Sequence, residues 1–308
     1  MLGTELMIVA ALFVATSNYC MRKSIDSGGS TKAFLMIQFF LVFLIAVLLN
    51  PVRSGNYQWS SSMALFGIAG GIVLVFMMAF LGKALETGPP GLTFAALNAS
   101  TVMPSIVMVC FFGSTFGYLY TVWHGLGSII VLLGLFWAGW QTRGGAERKA
   151  NWVSFVTAAF FLHVIFLVFL SWRALFINFP DANGLLLSFD TEDVKSQWFM
   201  PMAFCAAFVI QSFIFSKEKR KPYKGEVVYG IFGGIANGIG TFFMIWSTEV
   251  ATSFEHAMIY PLFAITIIVI CNLWGQWLYK EKVNWKANIL CMLGIVIGTI
   301  DWKVLLKL

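Results

Sequence analysis

Long apolar runs, separated by short polar connections, extend over almost the whole chain. Ten of the runs are long enough to form membrane-spanning helices, because a bilayer core of about 30 Å requires about 20 apolar residues in a helix. The pattern predicts transmembrane helices at residues 4–21, 33–50, 62–82, 91–112, 118–140, 152–171, 198–216, 227–248, 256–278 and 287–305. The only long connection covers residues 172–197.

Composition narrows the classes of protein that this chain can belong to. Of its 308 residues, 59% are hydrophobic and 11% are charged, whereas a soluble domain carries about 25% charged residues. The net charge of +6 comes from residues between the apolar runs, which form no continuous basic stripe. This pattern favours membrane lipid as the surrounding partner and argues against nucleic acid.

An internal repeat divides the chain into two halves. Residues 67–72 (GIAGGI) align with residues 234–239 (GIANGI) at an offset of 167. The same offset pairs Phe76 with Phe243, Met77 with Met244, Ala84 with Ala251, and Gly127 with Gly294. Chance similarity between two glycine- and phenylalanine-rich segments is the alternative, but a constant offset without gaps favours duplication of a unit, at residues 1–145 and 146–308.

The repeat predicts an all-α membrane protein with ten transmembrane helices arranged as two inverted five-helix repeats. An odd number of spans in each unit inserts the two copies in opposite orientations. Inverted repeats that enclose a binding site at the bilayer midplane are typical of transporters. The sequence leaves open whether the chain forms a homodimer.

Lysine and arginine residues predict the orientation in the membrane. Alternate connections on one side hold 15 of the 20 basic residues, and that side is expected to be cytoplasmic, with both termini outside. Arg22 and Lys23 follow the first apolar run instead of preceding it. We therefore expect a retained first span instead of a cleaved signal peptide, in a multi-pass protein of the cell (inner) membrane.

Polar residues at helical spacing predict a central solute-binding cavity lined by spans 3, 4, 8 and 9. Residues 94, 98, 101 and 105 share one face of the fourth span, and residues 237, 241, 244 and 248 share one face of the eighth. The candidate substrate-binding residues are Asn18, Met77, Phe94, Asn98, Thr101, His163, Asn237, Thr241, Met244, Trp246, His256 and Tyr260. Alternatively, such side chains only join helices, each contributing about 0.6 kcal/mol. For His163, packing and cavity roles are both open.

Glycine and proline positions predict how the helices pack and bend. Three glycine pairs have the small-xxx-small spacing that permits close helix approach: Gly67 and Gly71, Gly234 and Gly238, and Gly294 and Gly298. Packing explains them better than a solute site does. Pro104 and Pro261 interrupt the fourth and ninth spans, and a bend is expected near each of them.

Signatures of enzymes and metal sites are absent from the sequence. It contains no HExxH, no phosphate-binding loop and no nucleophile elbow, so we predict neither catalysis nor a cofactor. The five cysteines lack ligand spacing and are interpreted as small buried residues. Glu281, between two lysines, forms an interfacial ion pair or takes part in coupling. No carboxylate lies mid-span, so exchange, facilitated diffusion or coupling through His163 fits better than a carboxylate proton relay.

Two segments carry a resemblance to a known family. They are residues 84–89 (ALETGP) before the fourth span, and residues 260–261 (YP) followed by residues 277–282 (WLYKEK). In these features the chain resembles the EamA-like, ten-helix branch of the drug/metabolite transporter superfamily over nearly its whole length. The first half departs from the family pattern, because residues 116–118 (FGY) stand where an acidic turn is expected. The family often has cytoplasmic termini, the opposite of the orientation that the charges predict.

The resemblance implies alternating-access transport of a small metabolite, such as an amino acid, a sugar, or a nucleotide-linked or cofactor-like solute. Aromatic cavity faces with few charges favour a solute with a planar or amphiphilic part. The rival interpretation is a membrane enzyme or flippase that acts on lipid-linked substrates. It would require a polar cluster at one membrane face, for which Glu249, Glu255 and His256 are the candidates.

Overall fold

The computed structural model describes residues 2–112, 121–140, 146–178, 189, 191–250, 255, 259–280, 282–300 and 302. These residues form helices and include no strand. The helices are α1 (Leu2–Asp26), α2 (Thr31–Ser54), α3 (Ser61–Thr87), α4 (Pro90–Ala99), α5 (Pro104–Phe112), α6 (Val122–Trp140), α7 (Ala146–Asn178), α8 (Thr191–Lys195), α9 (Phe199–Ser216), α10 (Lys224–Val250), α11 (Ile259–Tyr279) and α12 (Trp285–Thr299).

Eight helical stretches are long and apolar enough to cross a membrane. They are Leu2–Asp26, Thr31–Asn50, Ser61–Thr87, Pro90–Met108, Ala150–Arg173, Phe199–Ser216, Lys224–Ser247 and Ile259–Tyr279. Two shorter apolar helices, Val122–Leu135 and Trp285–Thr299, lie at the fifth and tenth predicted spans. By length and composition this is a multi-pass membrane protein.

Large apolar side chains cover much of the outside of the bundle. Leu65 is 65% exposed, Phe213 is 65% exposed and Trp277 is 74% exposed. In water such a surface would promote aggregation, whereas in a bilayer these side chains contact hydrocarbon. The exterior therefore agrees with a lipid environment.

Polar N-caps fix where several helices begin. The Ser30 hydroxyl accepts a hydrogen bond from the N–H of Ala33 at 3.2 Å, at the start of α2. Ser60 accepts from the N–H of Met63 at 3.0 Å before α3, and the Asn284 side chain caps α12. Each cap satisfies an N–H group that would otherwise lack a partner at the helix end.

The structure shows the predicted break at the first of the two prolines. Before Pro104, α4 ends at Ala99, and a 3₁₀ turn (Ser100–Val102) leads into α5. Pro261 is the third residue of α11 as described, and residues 256–258 before it lie outside the described residues. The bend expected there stays a prediction.

The predicted loop at residues 172–197 is shorter than expected, since α7 continues to Asn178 and α8 follows.

Most of the extensive contacts join helices from different halves of the chain. Helix α1 packs along α10 and α11, α2 along α9 and α10, and α3 along α7 and α9. Helix α6 packs along α12, α4 packs on α11, and the segment from α4 to α5 packs on α7. The halves are thus interleaved, and each supplies surfaces that the other buries.

Glycine permits backbones to touch where the halves cross. A Cβ atom at Gly67 would collide with the carbonyl of Phe199, and one at Gly71 with the carbonyl of Ala203, both on α9. A Cβ at Gly127 on α6 would collide with the backbone of α12 at Gly298. Because a backbone cannot move aside as a side chain can, these positions require glycine.

The second-half glycine pair packs against side chains. A Cβ atom at Gly234 would lie 2.9 Å from Cβ of Leu41, and one at Gly238 would lie 2.6 Å from Cδ1 of Ile45. Both partners are on α2. The packing role predicted for the glycine pairs is confirmed.

A buried ion pair joins two loops at one end of the bundle, which we call the basic end. Glu226 is fully buried and binds the Arg220 guanidinium through two contacts, at 2.8 and 2.6 Å. It also accepts hydrogen bonds from the N–H groups of Ser30 at 2.5 Å and Tyr223 at 2.6 Å. Hydrogen bonding to Glu226 raises the pKa of Arg220 above its usual value, so the pair stays ionised.

We predict that Glu226→Gln lowers stability by about 3 kcal/mol, because it removes the buried charge that accepts hydrogen bonds from Arg220, Ser30 and Tyr223 and leaves Arg220 with only its pair to Glu218 at 2.8 Å. Thermal unfolding in detergent measures the loss. Glu192→Gln is the control, since the Glu192–Lys195 pair is about two-thirds exposed and should contribute less than about 1 kcal/mol. Equal losses in the two variants would contradict the assignment.

Candidate functional site

Helices α1, α3, α4 and α11 meet in the main apolar core. The Nδ2 atom of Asn18 on α1 lies 3.9 Å from Sγ of Cys271 on α11, a weak hydrogen bond that joins the two helices. Met77 of α3 and Phe94 of α4 are buried in the same core cluster. Three of the candidate residues therefore come from different helices of one interior region.

Aromatic rings surround Trp274 on α11. Phe94 packs against its indole with ring centres 5.9 Å apart, and Tyr19 does so at 5.8 Å, both nearly edge-on. Tyr279 lies 5.8 Å away towards the basic end. The Trp274 Nε1–H group is buried and has no acceptor among the described residues. A buried donor without a partner is a site where a bound solute or water would gain a hydrogen bond.

The polar side chains of α4 are partly occupied by their own helix. The Asn98 side-chain N–H donates to the Phe94 carbonyl at 2.8 Å, and the Thr101 hydroxyl donates to the Asn98 carbonyl at 2.9 Å. Asn98 is buried and Thr101 is half-buried. These contacts agree with a helix-stabilising role at least as well as with the predicted solute contacts.

His163 on α7 contacts α4 and the 3₁₀ turn that follows it. Its Nδ1 atom lies 3.0 Å from the carbonyl oxygen of Leu97 and 2.6 Å from the hydroxyl of Ser100. The Ser100 hydroxyl itself donates to Leu97 at 2.6 Å. Because the Leu97 carbonyl can only accept and the Ser100 hydroxyl donates to it, we assign the proton to Nδ1. The lone pair then resides on Nε2, which has no hydrogen-bond partner among the described residues.

A second group of candidates lies on α10. Met244 packs against a small cluster formed by α1 and α11: Met7, Ala10 and Ile259. Trp246 stacks on Phe243 with ring centres 6.2 Å apart. Phe263 borders both this cluster and the main core. The α10 group is therefore adjacent to the Trp274 region but does not belong to it.

The remaining candidates differ in exposure. On α10, Asn237 is half-buried and Thr241 is 9% exposed. Tyr260, in the first turn of α11, is 50% exposed and does not belong to the closed core. His256 lies outside the described residues.

An apolar groove runs between α5 and α7. Its volume is about 260 Å³, and its lining residues are Val107, Phe111, Val164, Ile165, Val168, Phe169 and Trp172. The lining is entirely apolar. Val164 follows His163 directly in the chain, so the groove extends along α7 from the level of the histidine to the end of the span.

The described residues contain no cluster of three His, Cys, Asp or Glu side chains that could hold a metal ion. The five cysteines are free thiols, and three of them, Cys20, Cys271 and Cys291, are buried. Within this part of the chain, the site is built from aromatic rings, amides, hydroxyl groups and one imidazole.

Sequence reasoning missed three residues at this site. Cys271 and Trp274 lie on α11, 11 and 14 residues after Tyr260, so helical spacing places them close to the face of that candidate, and this spacing was the available signal. Ser100 is buried at the 3₁₀ turn, and its position four residues before Pro104 was the available signal, because a proline break exposes carbonyl groups to side chains.

Comparison with known proteins identifies a shared fold only. No family model matches the chain, and no curated protein matches it. A solved structure described as "Crystal structure of protein" matches with a TM-score of 0.59 at 13% sequence identity, over 96% of this chain and 95% of that chain. The helical arrangement thus recurs in a protein of similar extent.

We predict different stability losses for two tryptophan substitutions of equal size. The Trp152 indole donates to the Thr93 hydroxyl at 2.9 Å, so Trp152→Phe loses a buried hydrogen bond worth about 1 kcal/mol. Trp274→Phe removes a donor that has no partner and should be less destabilising by that difference. Thermal unfolding of both variants without added solute tests this, and a larger loss for Trp274→Phe would refute it.

Proposed function

We propose that this protein is a secondary-active or facilitative transporter of a small metabolite. In this proposal it works by alternating access, with two inverted five-helix repeats of the kind found in EamA-like carriers. We assign the basic end to the cytoplasm and both termini to the outside of the cell membrane. The supporting observation concerns the contacts between helices. If each helix is replaced by its counterpart in the other half, every major contact becomes another observed contact or remains the same contact.

The counterparts are α1 and α7, α2 and α9, α3 and α10, the α4–α5 segment and α11, and α6 and α12. The contact of α1 with α10 then becomes that of α7 with α3, and the contact of α2 with α10 becomes that of α9 with α3. The contact of α1 with α11 becomes that of α7 with the α4–α5 segment. Contacts of α2 with α9, α4 with α11, and α6 with α12 map onto themselves, as a two-fold relation requires.

The glycine contacts between α6 and α12 follow the same correspondence between the two halves. Gly127 of α6 lies against Gly298 of α12, and Gly294 of α12 lies against Val131 of α6. Adding the repeat offset of 167 converts Gly127 into Gly294 and Val131 into Gly298. The contact is therefore reciprocal, and the offset that relates its partners was read from the sequence alone.

Helix directions support inversion of the second half. Arg22, near the end of α1, donates to the carbonyl of Leu85, near the end of α3. Trp172, near the end of α7, instead packs against Phe66 in the first two turns of α3, with ring centres 5.5 Å apart. The counterparts α1 and α7 therefore run in opposite directions relative to α3, as inverted repeats require.

Two counterpart interfaces, that of α1 with α11 and that of α5 with α7, differ in a way that supports alternating access. The interface of α1 with α11 is closed near the basic end, where Arg22 and Lys23 lie over the Tyr279 ring at 5.3 Å. Its counterpart between α5 and α7 is the open apolar groove at the other end. A structure closed at one end and open at the equivalent position of the other is one of the two states that such a carrier exchanges.

The rival interpretation, a lipid-handling enzyme or flippase, receives less support. Glu255, one of its candidate catalytic groups, is 3% exposed and accepts hydrogen bonds from the backbone N–H of Thr4 at 3.1 Å and from its hydroxyl at 3.4 Å. A carboxylate engaged in this way tethers the start of α1, and its position matches a structural role.

Transport is tested by purifying the protein into proteoliposomes loaded with a mixture of radiolabelled amino acids, sugars, nucleosides and organic acids. We expect counterflow of at least one solute class above protein-free vesicles. The absence of movement for every class would overturn the carrier proposal.

A reversible staple tests whether α1 and α11 must separate. Asn18→Cys places a thiol near the native Cys271, and oxidation should join the two helices and stop transport. A reductant should restore the flux. The matched control, Asn18→Cys with Cys271→Ala, should keep its flux under oxidation. Undiminished transport by the stapled protein would contradict alternating access through this interface.

A further inference from the structure

We propose that His163 binds a proton together with an anionic solute, a planar monocarboxylate, so that the pair crosses the membrane without net charge. This inference deepens the transporter proposed above and rests on it. It goes further by naming the coupling ion and the solute class. The argument uses the hydrogen bonds of the imidazole, its distance from other charges and the donors near it.

The contacts of the ring determine which nitrogen is available. Nδ1–H is held by the Leu97 carbonyl at 3.0 Å and the Ser100 hydroxyl at 2.6 Å, and Ser100 is fully buried. The arrangement fixes the ring orientation and directs the basic lone pair to Nε2. A proton taken up by the ring therefore binds at Nε2.

No charged group among the described side chains offsets an imidazolium at this position. On α3, Lys83 lies over the ring of Phe155, which is eight residues and about 12 Å from His163 along α7. Arg173 is about 15 Å away at the other end of the span. The titratable residues of the other elements packed on α7 are Glu86 at the end of α3, Cys110 on α5, and Glu192, Asp193 and Lys195 on α8. None of these carboxylates is at the level of His163.

Protonated His163 without a counterion is unfavourable in this apolar region, and so is a bound carboxylate without one. Together they neutralise each other, so proton and carboxylate favour each other's binding. The unpaired Nε1–H of Trp274, on α11, which like α7 packs on α4, offers a second donor to the anion. The rings of Phe94 and Tyr19 beside that indole offer stacking surface, which selects a planar solute.

Nitrogen-15 NMR of histidine-labelled wild-type protein tests the geometry without any solute. His163 should show a protonated Nδ1 and an unprotonated Nε2 at neutral pH. His124 is an internal control with the opposite expectation, because its Nδ1 accepts the Thr121 N–H at 3.1 Å. A His163 ring protonated at Nε2 instead would overturn the proposal.

The solute class is tested with matched planar pairs: benzoate and benzamide, nicotinate and nicotinamide, and indole-3-acetate and indole-3-acetamide. We expect at least one carboxylate to raise the protonation midpoint of His163 by one pH unit or more, while its amide leaves the midpoint unchanged. By linkage, that carboxylate should bind about tenfold more weakly for each pH unit between the midpoint of the free protein and the raised midpoint of the complex. If no carboxylate moves the midpoint, or the amides move it equally, the inference is wrong.

His163→Gln, which cannot titrate, separates this inference from the transporter proposal. We expect it to bind the active carboxylate with no pH dependence and to lose pH-gradient-driven uptake, whereas His124→Gln should behave as wild type. Gradient-driven uptake unchanged in His163→Gln would overturn proton coupling but leave the carrier intact. The absence of any solute flux in the wild-type protein would instead overturn the proposed function.

Discussion

Close backbone approach at glycine is the constraint on which the rest of this structure depends. Within a membrane no hydrophobic force drives helices together, so packing has to hold them. At Gly67, Gly71 and Gly127 the space for a side chain is occupied by the backbone of a helix from the other half. These crossings are consequently fixed, and relative motion is more readily accommodated where helices meet through side chains. The interfaces of α1 with α11 and of α7 with the α4–α5 segment are of that kind.

In the proposed inverted-repeat carrier these two side-chain interfaces are counterparts, but their chemistry differs. The α1–α11 contact ends in charged and aromatic groups: Arg22 pairs with Asp26 at 3.1 Å, and its guanidinium lies over the Tyr279 ring. Such cation–π contacts contribute about 0.5–2 kcal/mol each, which is enough to favour a closed state without making it permanent. The α5–α7 groove has only apolar walls, so the contacts that close the two ends cannot be the same. A modest energetic difference between the ends is what an exchange between two states requires.

The sequence predicted the positions of the helices closely, because each apolar run must satisfy its backbone hydrogen bonds internally in lipid. It also predicted the glycine contacts, since small-xxx-small spacing has few other uses. The bend expected at Pro261 stays a prediction, because residues 256–258 lie outside the described residues. The sequence analysis missed Trp274, which shares a face of α11 with Tyr260, because helical spacing does not show which part of a face meets another helix. Asn98 looked free to contact a solute, yet its N–H bonds to the carbonyl four residues earlier, an option open to any helical asparagine.

In the proposed carrier, hydrogen bonds within α4 limit which of its polar side chains can recognise a solute. Asn98, Thr101 and Ser100 all donate to α4 carbonyls, so they add little to discrimination between solutes. Unpaired groups among the described residues of this region include the donor Nε1–H of Trp274, the Nδ2 group of Asn272 on α11 and the acceptor Nε2 of His163. A site with buried groups that only the correct solute can pair rejects analogues more strongly than apolar contact does. The donor belongs to α11 and the acceptor to α7, and both of these helices pack on α4 from the other half of the chain. A solute that bridges the donor and the acceptor would therefore bind best when α4 lies against α11 and α7 at the same time. Selection of the solute and closure of the bundle around it would then depend on the same contacts.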